Sequence, residues 1–372
     1  MKHIKGLDSL RAIAVLLVIP WHWLPPEFIK SLPVGPAGVT IFFVLSGFLI
    51  TRILLEGKCK TEAEGKGKAS FIANFVFRRA LRILPIYYLL VIPALCYAIL
   101  KQQDLEKFAY LLTFTSNFYF LKINAWDTFF SHTWTLAIEE QFYLVWPLVL
   151  VFVNRKYLLP VILGFIVLGV ASQVAIQSDG FRMYQLYACC DSFGVGALLA
   201  WVIVFKPTLL KSFFRVSAVL ALATLVFLYI QLFHLPDVIV PLRIQVSVIT
   251  VCCISYMLHA STLSTPMPAY LSVLINNNTL AAIGKISYGM YLYHIFIPKL
   301  TGVFIYGTVY KHLPVFIRDH FQFFIFPINF AVLVIVSSLS WKYFEQPILR
   351  FKKYSFFREN AVWKFRSTKQ AA

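Results

Sequence analysis

Residues 7–24 read LDSLRAIAVLLVIPWHWL, and this stretch decides the class of the fold. It is apolar and nearly long enough to cross the hydrocarbon core of a bilayer, which takes about 20 helical residues. It nevertheless contains Arg11 and His22, although an arginine at the bilayer centre costs about 2.5–3.5 kcal/mol on insertion scales. At about 100° and 1.5 Å per residue, their spacing puts both side chains on one stripe of the helix, about 16 Å apart.

This polar stripe has two interpretations. It lines a path from one membrane face toward the other, or Arg11 reaches one interface while His22 lies in the opposite headgroup layer. Ionisable groups within a membrane span are functional candidates by default. We therefore take Arg11 and His22 as candidate site residues.

The composition indicates a polytopic membrane protein. Hydrophobic residues make up 59% of the 372 residues and charged residues 13%, against roughly 25% charged in soluble domains. The mean hydropathy is +0.74. The formal charge of +18 does not indicate a nucleic-acid partner, because the basic residues lie in short loops between apolar runs, as in membrane proteins. The first apolar run has no small-residue cleavage site, so it is expected to stay as a span.

Ten apolar runs are candidate transmembrane helices: 7–24, 38–55, 81–100, 135–153, 158–175, 187–205, 213–232, 239–259, 283–308 and 322–343. An even number of spans puts both termini on one side. Well over half of the 34 Lys and Arg residues then fall in the segments on that side, which the positive-inside rule assigns to the cytoplasm. We expect an all-α integral membrane protein with both termini cytoplasmic, a transmembrane domain over 1–349 and a basic cytoplasmic tail over 350–372.

The aromatic segment 101–134 leaves the span count open. It forms an interfacial helix or a short re-entrant piece, or it crosses the membrane as an eleventh span. An eleventh span would place the strongly basic tail outside, which the positive-inside rule disfavours.

The segment 131–147, SHTWTLAIEEQFYLVWP, carries two adjacent glutamates in the first turns of an apolar helix. Adjacent helical residues point about 100° apart, so at most one of Glu139 and Glu140 faces the stripe of Arg11 and His22. Glu139 is a candidate functional carboxylate. The alternative is that both acids are simply favoured at a helix start by the helix dipole.

Two more segments hold candidates. Ser46 and Gly47, in IFFVLSGFLI, leave room in mid-span for another helix or a slim ligand. In FRRALRILP, Arg79 and Arg82 are three positions apart and share a helix face, with Arg78 beside them. At a cytoplasmic membrane edge these guanidinium groups bind phosphate through paired hydrogen bonds, or they set topology and contact lipid headgroups.

Three weaker candidates are Asp191, His294 and Glu345, for which a helix-contact role is favoured. The six cysteines lack the spacing of a zinc site, so no metal is expected.

Six segments in order resemble the acyltransferase-3 family of integral membrane acyltransferases over nearly the whole chain. GLDSLRAIAVLLVIPWHW resembles a first-span signature of a basic residue, ten intervening residues and a histidine, here Arg11 and His22. HTWTLAIEEQFYLVWP resembles the segment whose acid is Glu139, with Thr135 where serine is more usual. The other four segments are IFFVLSGFLI, RRALR, IGKISYGMYLYH and SWKYFEQPILR.

The resemblance implies transfer of an acyl group, most often acetyl, from cytoplasmic acyl-coenzyme A to a hydroxyl group of a carbohydrate or glycolipid acceptor. The acceptor lies at the outer side of the bacterial inner (plasma) membrane. Some members carry a fused esterase-like domain, and this chain is expected to be a stand-alone form. The resemblance therefore implies acyl-coenzyme A (acetyl-coenzyme A) as the donor, and the acceptor and the membrane lipid as the partners.

The residues suggest how such a reaction runs. The cations around Arg78, Arg79 and Arg82 hold the phosphates, and the pantetheine arm passes Arg11 and Ser46 to reach His22. His22 acts as general base or as a nucleophile that is transiently acylated, and Glu139 orients its imidazole. The rival class is a transporter or flippase of a glycan or lipid-linked substrate, since intramembrane Arg, His and Glu also form substrate paths. Transporters often have internal repeats, and none is visible.

The charge distribution predicts that the 58–68 loop and the C-terminal tail are both cytoplasmic. In a cysteine-free background, Lys66→Cys and Thr368→Cys should react with a membrane-impermeant thiol reagent only after the cells are permeabilised. Labelling of either position in intact cells would contradict the ten-span topology.

Overall fold

The described part of the chain is built from helices. The computed structural model describes residues 4–29, 32–65, 67–176, 180–233, 241–263, 277–308 and 310–353, and no strand occurs in these ranges. The all-α class of an integral membrane protein is therefore confirmed. The predicted tail beyond residue 353 and most of the uncharged 260–282 loop lie outside the described residues.

The α-helices are numbered here in chain order. They are α1 Lys5–Trp23, α2 Pro26–Ile29, α3 Val34–Ala63, α4 Lys68–Leu100, α5 Glu106–Leu112, α6 Ser116–Ile123, α7 Thr133–Phe152, α8 Arg155–Ile176, α9 Leu186–Phe205, α10 Leu210–Phe233, α11 Leu242–Leu263, α12 Asn278–Tyr293, α13 Phe296–Thr308, α14 Val315–Asp319, α15 Phe321–Ser340 and α16 Gln346–Leu349. A π-helical turn, Trp341–Glu345, joins the last two.

Eight helical segments of the described residues are long and apolar enough to cross a membrane. They correspond to eight of the ten predicted spans. The other two predictions fall on α1, which carries Lys5, Asp8 and Arg11, and on the run 283–308. That run is not one helix, because α12 ends at Tyr293 and α13 begins at Phe296.

The break in the run 283–308 follows from Pro298. A proline has no N–H to donate to the carbonyl four residues back, and its ring clashes with that carbonyl. The carbonyl in question is that of His294, and it accepts a hydrogen bond from Trp23 Nε1 at 2.8 Å instead. The last turn of α1 is thereby fastened to the break.

The segment 101–134 does not cross the membrane in this structure. Its helices α5 and α6 have 7 and 8 residues, far fewer than the roughly 20 that a span requires. α5 packs against α4, where the Tyr87 hydroxyl donates to the Leu111 carbonyl at 2.9 Å and the Tyr88 hydroxyl to the Leu112 carbonyl at 2.8 Å. α6 packs against α7. The segment is thus a helical cap between two spans.

Lys58 ends up inside the bundle rather than in a loop. Its side chain is buried, and Nζ donates to the carbonyls of Leu150 at 2.9 Å, Val151 at 3.3 Å and Val153. The first two are carbonyls of the last turn of α7, which have no partner within the helix, and Val153 follows directly after that helix. A cation there also suits the negative end of the helix dipole.

Close contacts between backbones hold the centre of the bundle. A Cβ on Gly47 of α3 would overlap the Phe193 carbonyl of α9, and a Cβ on Gly284 of α12 would overlap the Asp8 carbonyl of α1. Small residues allow such approach between membrane helices. The room predicted beside Ser46 is therefore occupied at Gly47 by α9, while α1 is held between α3 and α12.

The contact between α3 and α9 predicts that Gly47→Ala destabilises the protein. The added methyl group meets backbone that cannot move aside, and overpacking of this kind costs about 1–3 kcal/mol. The melting temperature in detergent should fall. Gly164→Ala is the matched control, because nothing lies within 4 Å of a Cβ at Gly164; equal melting temperatures of the two variants would contradict the packing argument.

Candidate active site

A cavity lies among α1, α3, α4, α7 and α12. Five predicted site residues line it: Arg11, Ser46, Arg79, Arg82 and Glu139. The structure thus brings together residues from four separate motifs. We call this space the arginine cavity.

Glu139 is fixed by hydrogen bonds within the arginine cavity. Its Oε1 accepts a hydrogen bond from Ser46 Oγ at 2.7 Å, and Ser46 Oγ lies 3.0 Å from the Tyr143 hydroxyl. Tyr143 is one turn along α7 from Glu139, so both side chains share a face. Glu140 points away and is absent from the lining, as expected for adjacent helical residues.

The lining of the arginine cavity carries three guanidinium groups and one carboxylate. Arg11 is paired with Asp8 at 2.7 Å, and the Arg79 guanidinium lies 5.6 Å from the centre of the Tyr143 ring. Excess positive charge in a low-dielectric space attracts anions. Arg78, by contrast, is exposed and does not line the cavity.

A second cavity lies at the other end of α1. His22 and His294 both line it, with their ring centres 5.0 Å apart. His22 is exposed, and His294 is fully buried. We call this space the histidine cavity; its lining also includes Trp23, Ser131, Lys299, Gln322 and Asn329.

The loop 124–132 forms one edge of the histidine cavity through Thr128 and Ser131. Asp127 holds the loop in place by accepting hydrogen bonds from the backbone N–H groups of Phe129 and Phe130, both at 2.8 Å, and from Lys107 Nζ at 2.9 Å. Burial raises the pKa of the Asp127 carboxyl, but these hydrogen bonds outweigh it and lower the pKa below its usual value. Lys299 Nζ donates to the Thr128 carbonyl, which ties the loop to α13.

Tyr291 separates the two cavities, whose linings share no residue. Its hydroxyl lies 2.7 Å from Thr135 Oγ1, and its ring lines the arginine cavity. The same ring lies 5.4 Å, centre to centre, from His294 on the other side. The Tyr291 ring therefore lies between the two cavities.

The structure does not bring Glu139 to His22. The expected pair is divided between the two cavities, because Glu139 faces Ser46 of α3 while His22 lies at the far end of α1. The imidazole that accompanies His22 is His294, which the sequence placed among the weaker candidates.

His132 is a buried residue that sequence reasoning did not single out. Its ring centre lies 5.2 Å from that of His294, and within the described ranges neither ring nitrogen has a partner in good hydrogen-bonding geometry. A signal was present in the sequence. His132, Thr135 and Glu139 follow one another by three and four positions, which is one face of a helix.

The remaining weaker candidates lie elsewhere. Asp191 is buried in α9 and Glu345 in the π-helical turn, where Ser340 Oγ donates to its Oε1 at 3.4 Å. Neither residue lines either cavity. Among the residues that the structure describes, no group of three or more His, Cys, Asp or Glu side chains could hold a metal ion.

Comparison with known proteins gives a consistent result. A family model described as an acyltransferase domain matches residues 4–343. The chain is 29% identical over 382 residues to the peptidoglycan O-acetyltransferase OatA of Listeria monocytogenes, covering 93% of this chain and 56% of that protein. It is 29% identical over 380 residues to a putative peptidoglycan O-acetyltransferase of Bacillus subtilis, covering 93% and 55%.

A putative O-acetyltransferase of Staphylococcus aureus strain COL is 27% identical over 386 residues, covering 93% of this chain and 57% of its own length. The chain thus spans a little over half the length of the curated relatives that it matches. No solved structure matches it.

Proposed function

Because the chain belongs to the family of membrane acyltransferases whose model matches residues 4–343, we propose that it is a membrane O-acyltransferase. It moves an acyl group, most simply acetyl, from acyl-coenzyme A to a hydroxyl group of a carbohydrate or glycolipid acceptor. One observation carries the proposal: an arginine-lined cavity and a histidine-lined cavity meet at a single wall within one bundle.

The orientation follows from the charge pattern. Both termini and the donor face the cytoplasm, and the histidine cavity opens toward the outer side of the plasma membrane. In this arrangement α1 crosses the membrane once, and the broken pair of α12 and α13 together crosses it once. With the eight apolar spans this gives ten crossings. Basic residues near the cytoplasmic ends of helices support this direction.

The arginine cavity is the proposed donor site. Coenzyme A carries phosphate groups, and guanidinium groups bind phosphate through paired, charge-assisted hydrogen bonds. These groups are provided by Arg11, Arg79 and Arg82. The hydrogen bond from Ser46 holds the Glu139 carboxylate, so that it does not pair with all three guanidinium groups. The slim, neutral pantetheine arm then extends along α1 toward His22, a distance of about 16 Å from Arg11.

His22 performs the chemistry in either of two ways. As a general base it takes the proton of the acceptor hydroxyl while the new C–O bond forms and the C–S bond breaks, and it returns that proton to the thiolate. As a nucleophile it first takes the acyl group and releases the thiol, and the hydroxyl then displaces the imidazole. An imidazole suits both routes because it is a base near neutral pH.

The histidine cavity is the proposed acceptor site. Ser131, Gln322 and Asn329 offer hydroxyl and amide groups, and Trp23 adds an aromatic ring. Convergent polar groups beside an aromatic ring suit a carbohydrate, since they can fix its orientation through hydrogen bonds. The Listeria relative is a peptidoglycan O-acetyltransferase by name, and a peptidoglycan fragment is therefore the first acceptor to try.

The proposal is tested with the purified protein in detergent, supplied with acetyl-coenzyme A and an oligosaccharide fragment of peptidoglycan. Release of free thiol together with acetylation of the sugar is expected. A protein that moves glycan across vesicles and releases no thiol would instead be a transporter or flippase.

The donor site predicts different effects for two neighbouring arginines. Losing one charge-assisted hydrogen-bonding partner costs about 1.5–3 kcal/mol, so Arg79→Ala should raise the KM for acetyl-coenzyme A by about 10- to 100-fold. Arg78→Ala is the matched control, because Arg78 is exposed and outside the cavity. An equal rise in both variants would place the donor elsewhere on α4.

His22→Gln keeps a hydrogen-bonding side chain but removes the base. We expect transfer to fall by at least the roughly 10²- to 10⁴-fold that a general base contributes, with coenzyme A still bound. His312→Gln, at an exposed histidine outside both cavities, should leave transfer unchanged. Substantial sugar acetylation by a folded His22→Gln protein would rule out both roles of His22.

A further inference from the structure

In the part of the chain that the structure describes, no carboxylate lies in the histidine cavity to orient the imidazole of His22. The lining of the histidine cavity contains two imidazoles and no Asp or Glu, and Glu139 is engaged with Ser46 in the other cavity. An imidazole that takes a proton through one nitrogen needs a partner that fixes the hydrogen on the other nitrogen. The side chain best placed to do this is His294, with its ring centre 5.0 Å from that of His22.

The protonation state of His294 is set by its own hydrogen bond. Its Nδ1 lies 2.6 Å from the Tyr291 carbonyl, and because a carbonyl can only accept, the hydrogen is on Nδ1. In the neutral ring Nε2 is then the acceptor. This Nε2 is fully buried and has no partner among the described residues, so the structure holds an unused acceptor next to His22.

The surroundings hold the His294 ring in this orientation. Its backbone carbonyl accepts a hydrogen bond from Trp23 Nε1, and the tyrosine that anchors its Nδ1 is itself held by Thr135. The break in the run 283–308, caused by Pro298, places the ring at the edge of the cavity. The ring is therefore positioned before any substrate arrives.

We propose that His294 is the positioning residue for His22. Its Nε2 accepts a hydrogen bond from an N–H of His22, so that the opposite nitrogen of His22 is unprotonated and faces the reacting groups. This inference rests on the proposed function of His22. The small rotation that closes the bond is of the kind that catalytic hydrogen bonds undergo when a substrate binds.

The pair also accommodates the charge that forms during transfer. When His22 takes the hydroxyl proton, the resulting imidazolium donates a charge-assisted hydrogen bond to His294 Nε2. The proton returns from His22 to the leaving thiolate, and His294 ends the cycle unchanged. Lys299 lines the same cavity, and a positive charge on His294 beside it would be costly, so the proton taken from the hydroxyl stays on His22 and the two imidazoles together carry at most one positive charge.

The test compares His294→Gln with His294→Asn. The glutamine amide oxygen reaches approximately the position of Nε2 and can still accept from His22. The asparagine amide reaches approximately the position of Nδ1, so it keeps the bond to the Tyr291 carbonyl but leaves His22 without an acceptor. His132→Asn is the matched control, since His132 is also buried beside His294 but lines neither cavity.

We expect kcat of His294→Asn to fall on the order of 10²-fold, the lower range for losing general-base catalysis. His294→Gln should retain much more activity, His132→Asn should resemble the unmodified protein, and the KM for acetyl-coenzyme A should be unchanged in all three. Melting temperatures in detergent are measured alongside.

Equal kcat values for the Gln and Asn variants, whether high or low, would overturn the positioning role. If both kcat values are low and both melting temperatures are reduced, His294 is a structural contact instead. Measuring the unmodified protein in the same assay distinguishes failure of the proposed function from failure of this inference. If it releases no thiol, the proposed function fails and this inference falls with it; if it does and the variants behave alike, only the inference fails.

Discussion

The cost of taking charged and polar groups out of water governs this structure. Several such groups inside the bundle are stabilised by a specific partner. Lys58 is buried against the carbonyls that end α7, Arg11 is paired with Asp8, and the carbonyl left by Pro298 is bonded to Trp23. His294 Nε2 has no partner among the described residues, and His294 lines the histidine cavity. This atom is therefore placed to accept a hydrogen bond from a group that lies in that cavity.

Much of this arrangement could be predicted from residues alone. Hydropathy and charge indicate the all-α membrane class, and helical geometry places Arg11 and His22 at opposite ends of one stripe. The spacing of three residues puts Arg79 and Arg82 on one face of α4. The turn of about 100° per helical residue points Glu139 and Glu140 in different directions. These are local properties, because each depends on the periodicity of a single helix.

The rest depends on contacts between distant helices, which local periodicity does not encode. Glu139 was expected beside His22, but the packing of α3 against α7 gives it Ser46. Room was expected at Gly47, but α9 occupies it. Pro298 can be recognised in the sequence as a helix breaker. Only the three-dimensional structure shows that Trp23 binds the carbonyl at the break, and that His294 thereby lies beside His22.

The hydrogen bond between Tyr291 and Thr135 has a further consequence for a cell. Two water-accessible spaces that approach each other inside a bilayer would, if joined, let protons leak and dissipate the gradient on which the membrane depends. The Tyr291 ring, whose hydroxyl contacts Thr135 Oγ1, lies between the two spaces. In the proposed reaction the slim pantetheine arm has to pass this ring to reach His22, whereas a hydrated ion has to be kept out. Insulation of the membrane and admission of the donor would then depend on a single tyrosine.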